Sequence, residues 1–254
     1  TCTRSNAGTS TIFVRAAGAI VGMVESRPTF EGDRPLIAAS MFGNPTDCVN
    51  AAQALMADAG FEVLVFHATG SGGRTMESLI ESGMFEGVLD ITTTEWADEL
   101  VGGTLSAGST RMDAAGKAGV PTVVVPGCLD MVNFGEPETV PSAFADRLFY
   151  HHNPQVTLMR TTAAECAELG RILAEKINAY TGPAVVLIPE RAVSVISAEG
   201  GAFHDPKADR ALFDAIEAGL DDGIEVRRMD LDINDPAFAR ACTDALLGLL
   251  GRSS

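Results

Sequence analysis

A chain of 254 residues, 46% of them hydrophobic, is long enough to bury one large core or two small lobes sharing a sheet. Its formal charge of −16, from 34 acidic against 18 basic residues, argues against nucleic acid and against an anionic membrane surface, since both are gripped by Lys and Arg. Nucleotides stay open, because backbone N–H groups and helix N-termini hold phosphate without a basic surface.

The chain begins Thr-Cys-Thr, the start expected of a fragment or a processed product. Ile12, Phe13, Ala16, Ile20, Val21 and Val24 follow a helical spacing, and the apolar run Ala16 to Val24 is too short to span a bilayer. Residues 1–30 are therefore expected to be an N-terminal segment and helix, and 31–254 a single α/β domain. Leu36 to Met41 predicts a buried strand. Thr46 to Ala59 predicts a helix with Val49, Ala52, Leu55 and Met56 on one face and Gly60 closing it. Phe61 to Phe66 is the next strand, Arg74 to Ser82 the next helix, and Gly87 to Ile91 the third strand. Thr92-Thr93-Thr94-Glu95 matches a capping box opening another helix. Val120 to Val125 is the fourth strand, and Asp130 to Asn153, with Pro137 and Pro141, is the least regular stretch.

Thr162 to Glu165 opens a long helix with Cys166, Leu169, Leu173 and Ile177 on one face, and Ala184 to Ile188 is a strand. Asp205-Pro206 and Asp235-Pro236 each pair an N-cap with a first-turn proline, and Ile224 to Met229 is the strand between those two helices. Strands separated by helices of this length imply parallel pairing. The predicted fold is α/β: a doubly wound, mainly parallel Rossmann-like sheet with helices on both faces. Five cysteines, Cys2, Cys48, Cys128, Cys166 and Cys242, form no CxxC pair, which favours a reducing, cytoplasmic compartment.

Four polar or glycine-rich segments follow strands, so a parallel sheet gathers them at its carboxyl edge, where open α/β sheets bind ligands. After the first strand come Gly43 and Thr46. After the second come Thr69, Gly70, Ser71, Gly72, Gly73 and Arg74, the best phosphate candidate although neither a Walker loop nor GxGxxG. After the third come Thr92, Thr93 and Glu95. The loop containing Gly102, Gly103 and Ser106 is a candidate lid, or simply a connector between helices. After the fourth strand come Gly127, Cys128, Asp130 and Asn133. Asp130 and Glu95 are candidates to hold Mg²⁺ or to act as an acid–base group. His152, in His151-His152-Asn153, is a further catalytic candidate, with Asn153 beside it for ligand binding; no spacing supports zinc. Cys128 lacks a local base, and His204 is a weak site candidate.

SMFGNPT (40–46), FHATGSGGRTMESLI (66–80), DITTTEWADELVGGTLSAGSTRMDAAG (90–116), PGCLDMVNFG (126–135), FYHHNPQVTLMRTT (149–162), FHDPKAD (203–209) and INDPAFA (233–239) together resemble the family of the tomato mosaic virus resistance protein's ATP-binding domain. The resemblance runs from about Ala16 to the end and covers the second of two tandem α/β lobes; residues 1–15 depart from it. It implies ATP with Mg²⁺, a first lobe or a homodimer partner completing the site, and no established catalytic residues. Three functions follow as expectations: a domain binding a nucleotide or phosphometabolite, an enzyme acting on a small carboxylate or phosphorylated acid through Asp130 or Glu95, and a protein-interaction module.

Overall fold

The computed structural model describes residues 7–25 and 34–252. Cys2 and the expected boundary at residues 30 and 31 lie outside the described residues. The contacts divide the chain into a unit ending at Asp33 and a unit beginning at Arg34. In the first, helix α1 (Ala7–Glu25) carries large apolar side chains that are exposed, Phe13 at 66% and Val24 at 78% among them.

In the second unit, β1 (Leu36–Met41), β2 (Glu62–His67), β3 (Gly87–Thr92), β4 (Thr122–Gly127), β8 (Ala184–Pro189) and β9 (Glu225–Met229) form a six-stranded sheet in the order β2-β1-β3-β4-β8-β9. Every pairing in it is parallel. The sequence reading of a mainly parallel, Rossmann-like sheet is thus correct.

Period-two alternation sorts the strand side chains between two helix layers. Ile37, Ala39, Leu89, Ile91, Val123, Val125, Val185 and Leu187 face α2 (Thr46–Asp58) and α8 (Pro236–Leu249). Ala38 and Val88 face the opposite way, onto α3 (Ser71–Glu81) and α5 (Asp113–Ala118). Val124, Val186 and Ile188 share that second face with α4 (Glu95–Val101), α6 (Ala163–Asn178) and α7 (Pro206–Gly219). The helix starts at Thr162, Asp205 and Asp235 are as expected: Thr162 and Glu165 form a capping box, and each Asp caps a helix whose first turn holds a proline.

Two expectations fail. The segment taken as least regular, Asp130 to Asn153, contains β5 (Met131–Phe134) and β6 (Phe149–Asn153), which with β7 (Val156–Arg160) just beyond it form an antiparallel sheet in the order β5-β7-β6. These strands are four and five residues long, too short to show a period beside two prolines. The Thr92-to-Glu95 segment forms no capping box. The N-cap is Thr94, without a side-chain bond, and Glu95 is the first helical residue with its carboxylate spent elsewhere.

Candidate functional site

The chain leaves β1 through α2 to reach the edge strand β2, then returns across β1 through α3 to β3. α2 and α4, which follow β1 and β3, lie on opposite faces, so the loops leaving those two strands diverge and a crevice opens between them at the carboxyl edge. Residues 42–45 and 93–94 border this switch point, and Asn44 reaches over it, its Nδ2 lying 3.7 Å from Met131 Sδ.

Beneath the crevice lies a buried ionic network around Arg111, which is 1% exposed. Its guanidinium donates to both Asp90 oxygens (2.6 and 2.7 Å), to Glu95 Oε2 (2.7 Å) and to Glu77 Oε1 (3.2 Å). Those carboxylates hold the arginine's pKa above its ordinary value although burial opposes its charge. Ser40 Oγ donates to Asp90 and accepts from the Thr92 amide, tying β1 to the end of β3. Glu77, whose carboxyl burial pushes up, accepts from the Met112 and Ala114 amides and so closes the start of α5.

Glu95 decides the state of the glycine loop. Its Oε1 accepts from the Gly70 amide (2.6 Å) and the Gly73 amide (3.1 Å), the N–H groups expected to cradle phosphate. A methyl group on Gly73 would run into that carboxylate, and one on Gly72 into the His67 carbonyl. These glycines therefore admit the protein's own anion and backbone. Arg74 donates to the Ser106 carbonyl (2.9 Å), while Thr69 and Ser71 are partly or fully exposed.

The start of α2 differs. Its N-cap is Pro45 and no side chain caps it; only the Cys48 amide finds a side-chain acceptor, Asn234 Oδ1 at 3.2 Å. A hydrogen-bonded turn at Asn44 and Pro45 leads into this start, and no side chain reaches the Thr46 or Asp47 amide among the described residues. Gly43 is exposed, with open space where a Cβ would stand. Asn234 Nδ2 donates to the Asn44 carbonyl and fixes this loop.

Gly127, which ends β4, and Cys128 and Asp130 in the turn after it are buried. Cys128 adopts φ 59°, a left-handed conformation uncommon for a side-chain-bearing residue, and burial raises its thiol pKa, so it is no ready nucleophile. Asp130 Oδ2 accepts from Ser194 Oγ (2.7 Å); its Oδ1 has no partner among the described residues, and burial pushes its pKa to about 6. Asp98 Oδ1 accepts from the Asn133 amide (2.6 Å) and Oδ2 from Asn133 Nδ2 and the Leu105 amide. The loop of Gly102 and Gly103 is thereby fastened to β5, with Thr104 N–H donating to the Asn133 carbonyl. It is a held connector, not a loose lid.

Glu95 and Asp130 do not form a common metal pair. One is spent on Arg111 and two amides, the other on Ser194, and no cluster of three or more His, Cys, Asp or Glu residues suited to a metal occurs among the described residues. Thr92 and Thr93 are buried at the crevice, Thr93 Oγ1 donating to the Val125 carbonyl. His152 and Asn153 lie exposed on β6. Arg111, Asp98, Glu77 and Asn234 were not singled out from the sequence. Arg111 and Asp98 sit within the long motif 90–116, but nothing in their spacing tells which acid meets which base.

Residues 34–250 match the model of the C-terminal domain of the uncharacterised protein family UPF0261. The chain belongs to that family. It is 48% identical, over 96% of its length, to a UPF0261 protein of Clostridium tetani, and 50% identical over 92% to one of Rhizobium meliloti. It is also 40% identical, over 98% of its length, to the ToMV resistance protein Tm-1(GCR237) of Solanum lycopersicum. The match covers 61% and 59% of the two bacterial proteins and 33% of the tomato one, so the chain spans about three-fifths of the former and a third of the latter. Among solved structures, an A-type ketoreductase of a modular polyketide synthase aligns at 13% identity and a TM-score of 0.30, over 81% of this chain and 39% of that one, too low to carry a likeness. No helix among the described residues is long and apolar enough to cross a membrane.

Proposed function

We propose that this chain binds a phosphate-bearing small molecule, ATP or a related nucleotide by the family resemblance, at the switch point between β1 and β3. Its anionic group sits on the start of α2, against Gly43, Thr46 and the Asp47 amide. The observation carrying this reading is that the amide nest of α3 is filled by Glu95 while that of α2 has no acidic cap. N–H groups with no side-chain acceptor and the positive end of a 13-residue helix attract an anion. Asp130 and Glu95 do not suit Mg²⁺, being buried on other partners, so any metal would come with the ligand's own phosphates. Because the longer relatives continue beyond the matched region, this crevice is one wall of a site that their remaining residues, or a second copy, would complete.

The test is calorimetric titration of ATP, with and without Mg²⁺, into the wild-type chain and into Gly43→Asp. The space at Gly43 admits the new side chain, whose carboxylate would seat on α2 as Glu95 does on α3. Expected is binding by the wild type and its loss in a variant that keeps its unfolding midpoint. Binding that survives Gly43→Asp would remove α2 from the site.

A second reading rests on Asp130, a buried carboxyl with one oxygen unpartnered and a pKa of about 6, the state wanted of an acid–base group acting on a small acid. Asp130→Asn would then abolish turnover and spare binding.

A further inference from the structure

We infer that the cleft between α7 and the carboxyl ends of β8 and β9 is a separate site for a small zwitterion of the free amino acid class. It encloses about 700 Å³, within the roughly 300–1,000 Å³ usual for ligand pockets. It lies on the same sheet edge as the switch point but beyond β4, at the far end of the strand order.

The argument is one of matched and unmatched charge. Most charged groups lining the cleft are already committed. Arg228 donates to Glu190, Asp214 and Glu217, Arg191 pairs with Asp230, and Asp209 is held by Arg160 at 2.5 Å. Two lining charges have no charged partner among the described residues, the cation Arg210 and the carboxylate of Glu199, while Asp232 forms no bridge but lies in the field of Arg191. A simple phosphate would meet two like charges here, and a simple cation would leave Arg210 unanswered. A molecule bearing one carboxylate and one ammonium satisfies both signs.

His204 adds a directional group. Its Nδ1 lies 3.2 Å from the Ser197 carbonyl, which can only accept, so Nδ1 is the donor there and Nε2 is the ring nitrogen left for a ligand. In the neutral ring Nε2 accepts from the ligand's ammonium. Arg210 also borders an adjoining groove of about 370 Å³ along α7, room for a side chain beyond the carboxylate it holds.

The experiment titrates the intact chain with L-serine, L-glutamate and L-lysine, and in parallel with acetate and methylammonium, following amide resonances by NMR. Expected is saturable binding of at least one amino acid, with acetate and methylammonium each weaker by about tenfold or more, and a loss of the same size in Arg210→Glu. Arg210 is exposed and unpaired, so that variant should keep the wild-type unfolding midpoint; Glu199→Gln with Asp232→Asn probes the ammonium end and should weaken binding likewise. Failure of all three amino acids to bind would overturn the inference, as would acetate binding equally well or full affinity in Arg210→Glu. None of these failures touches the switch-point reading, which is reported by ATP and Gly43→Asp.

Discussion

α2 and α3 begin beside the same crevice, on opposite faces of one sheet, and they meet the same problem in opposite ways. Each start leaves amides without helical acceptors. At α3 the chain brings Glu95 to those amides and Arg111 to Glu95, and the nest closes. At α2 it brings only the Asn234 amide oxygen, to one N–H, and no other side chain arrives among the described residues. A glycine-rich loop before a helix is therefore not by itself a ligand site. What distinguishes the two is whether an acidic side chain from elsewhere arrives, and that is settled by tertiary structure.

The strongest way to break the comparison is to remove the cation that holds the closed side together. Arg111→Leu would leave Asp90, Glu95 and Glu77 facing one another with no counter-charge, and losing one partner of a buried pair costs about 3–5 kcal/mol. Urea denaturation should show a loss of that size. A loss below about 1 kcal/mol, the range of exposed pairs, would mean that the network is not closed in solution.

A methyl group tests the two loops separately. Gly73→Ala presses on the Glu95 carboxylate and should cost about 1–3 kcal/mol, the usual range for overpacking. Gly43→Ala meets open space and should stay within about 0.5 kcal/mol. Equal effects at the two positions would erase the difference between a filled nest and an open one.

These residues also mark how far the sequence could be followed. The six strands and their parallel pairing were legible because Leu36 to Met41 or Ala184 to Ile188 are aliphatic runs bounded by turn residues and separated by helices, and Asp205-Pro206 announces its helix by local chemistry; the strand order was not. The carboxyl edge followed from parallel pairing, which puts the loops after β1, β2, β3 and β4 on one side of the sheet. What was hidden is the pairing of distant charges. Glu95 is 25 residues from Gly70 and 16 from Arg111, and no local spacing encodes such contacts. The Thr92-to-Glu95 segment carries a capping-box pattern, yet the carboxylate gains more from Arg111 and two amides than from its own helix start. Asn234, 186 residues from Cys48, was hidden for the same reason.

The smallest expected effect concerns the loop between α4 and α5, which the sequence left open as lid or connector. Asp98 fastens it, and burial raises that carboxyl from 3.8 to about 7 against the pull of its amide partners. The folded state thus keeps a proton that the unfolded chain has already released, and stability from this group is full below about pH 4 and falls as pH rises through 7. Across pH 7 to 8 only the tail of that fall remains, on the order of 0.4 kcal/mol. Asp98→Asn lacks the titration, so the stability difference between wild type and variant should narrow by that amount as pH rises, in urea titrations at the two values. Hydrogen exchange at the Leu105 amide provides the local readout. It should be faster in Asp98→Asn, because Leu105 N–H loses a carboxylate acceptor at 3.2 Å. Unchanged exchange there would show that the loop is held by Thr104 and Arg74 alone, and that the charge on Asp98 serves β5 and Asn133 instead.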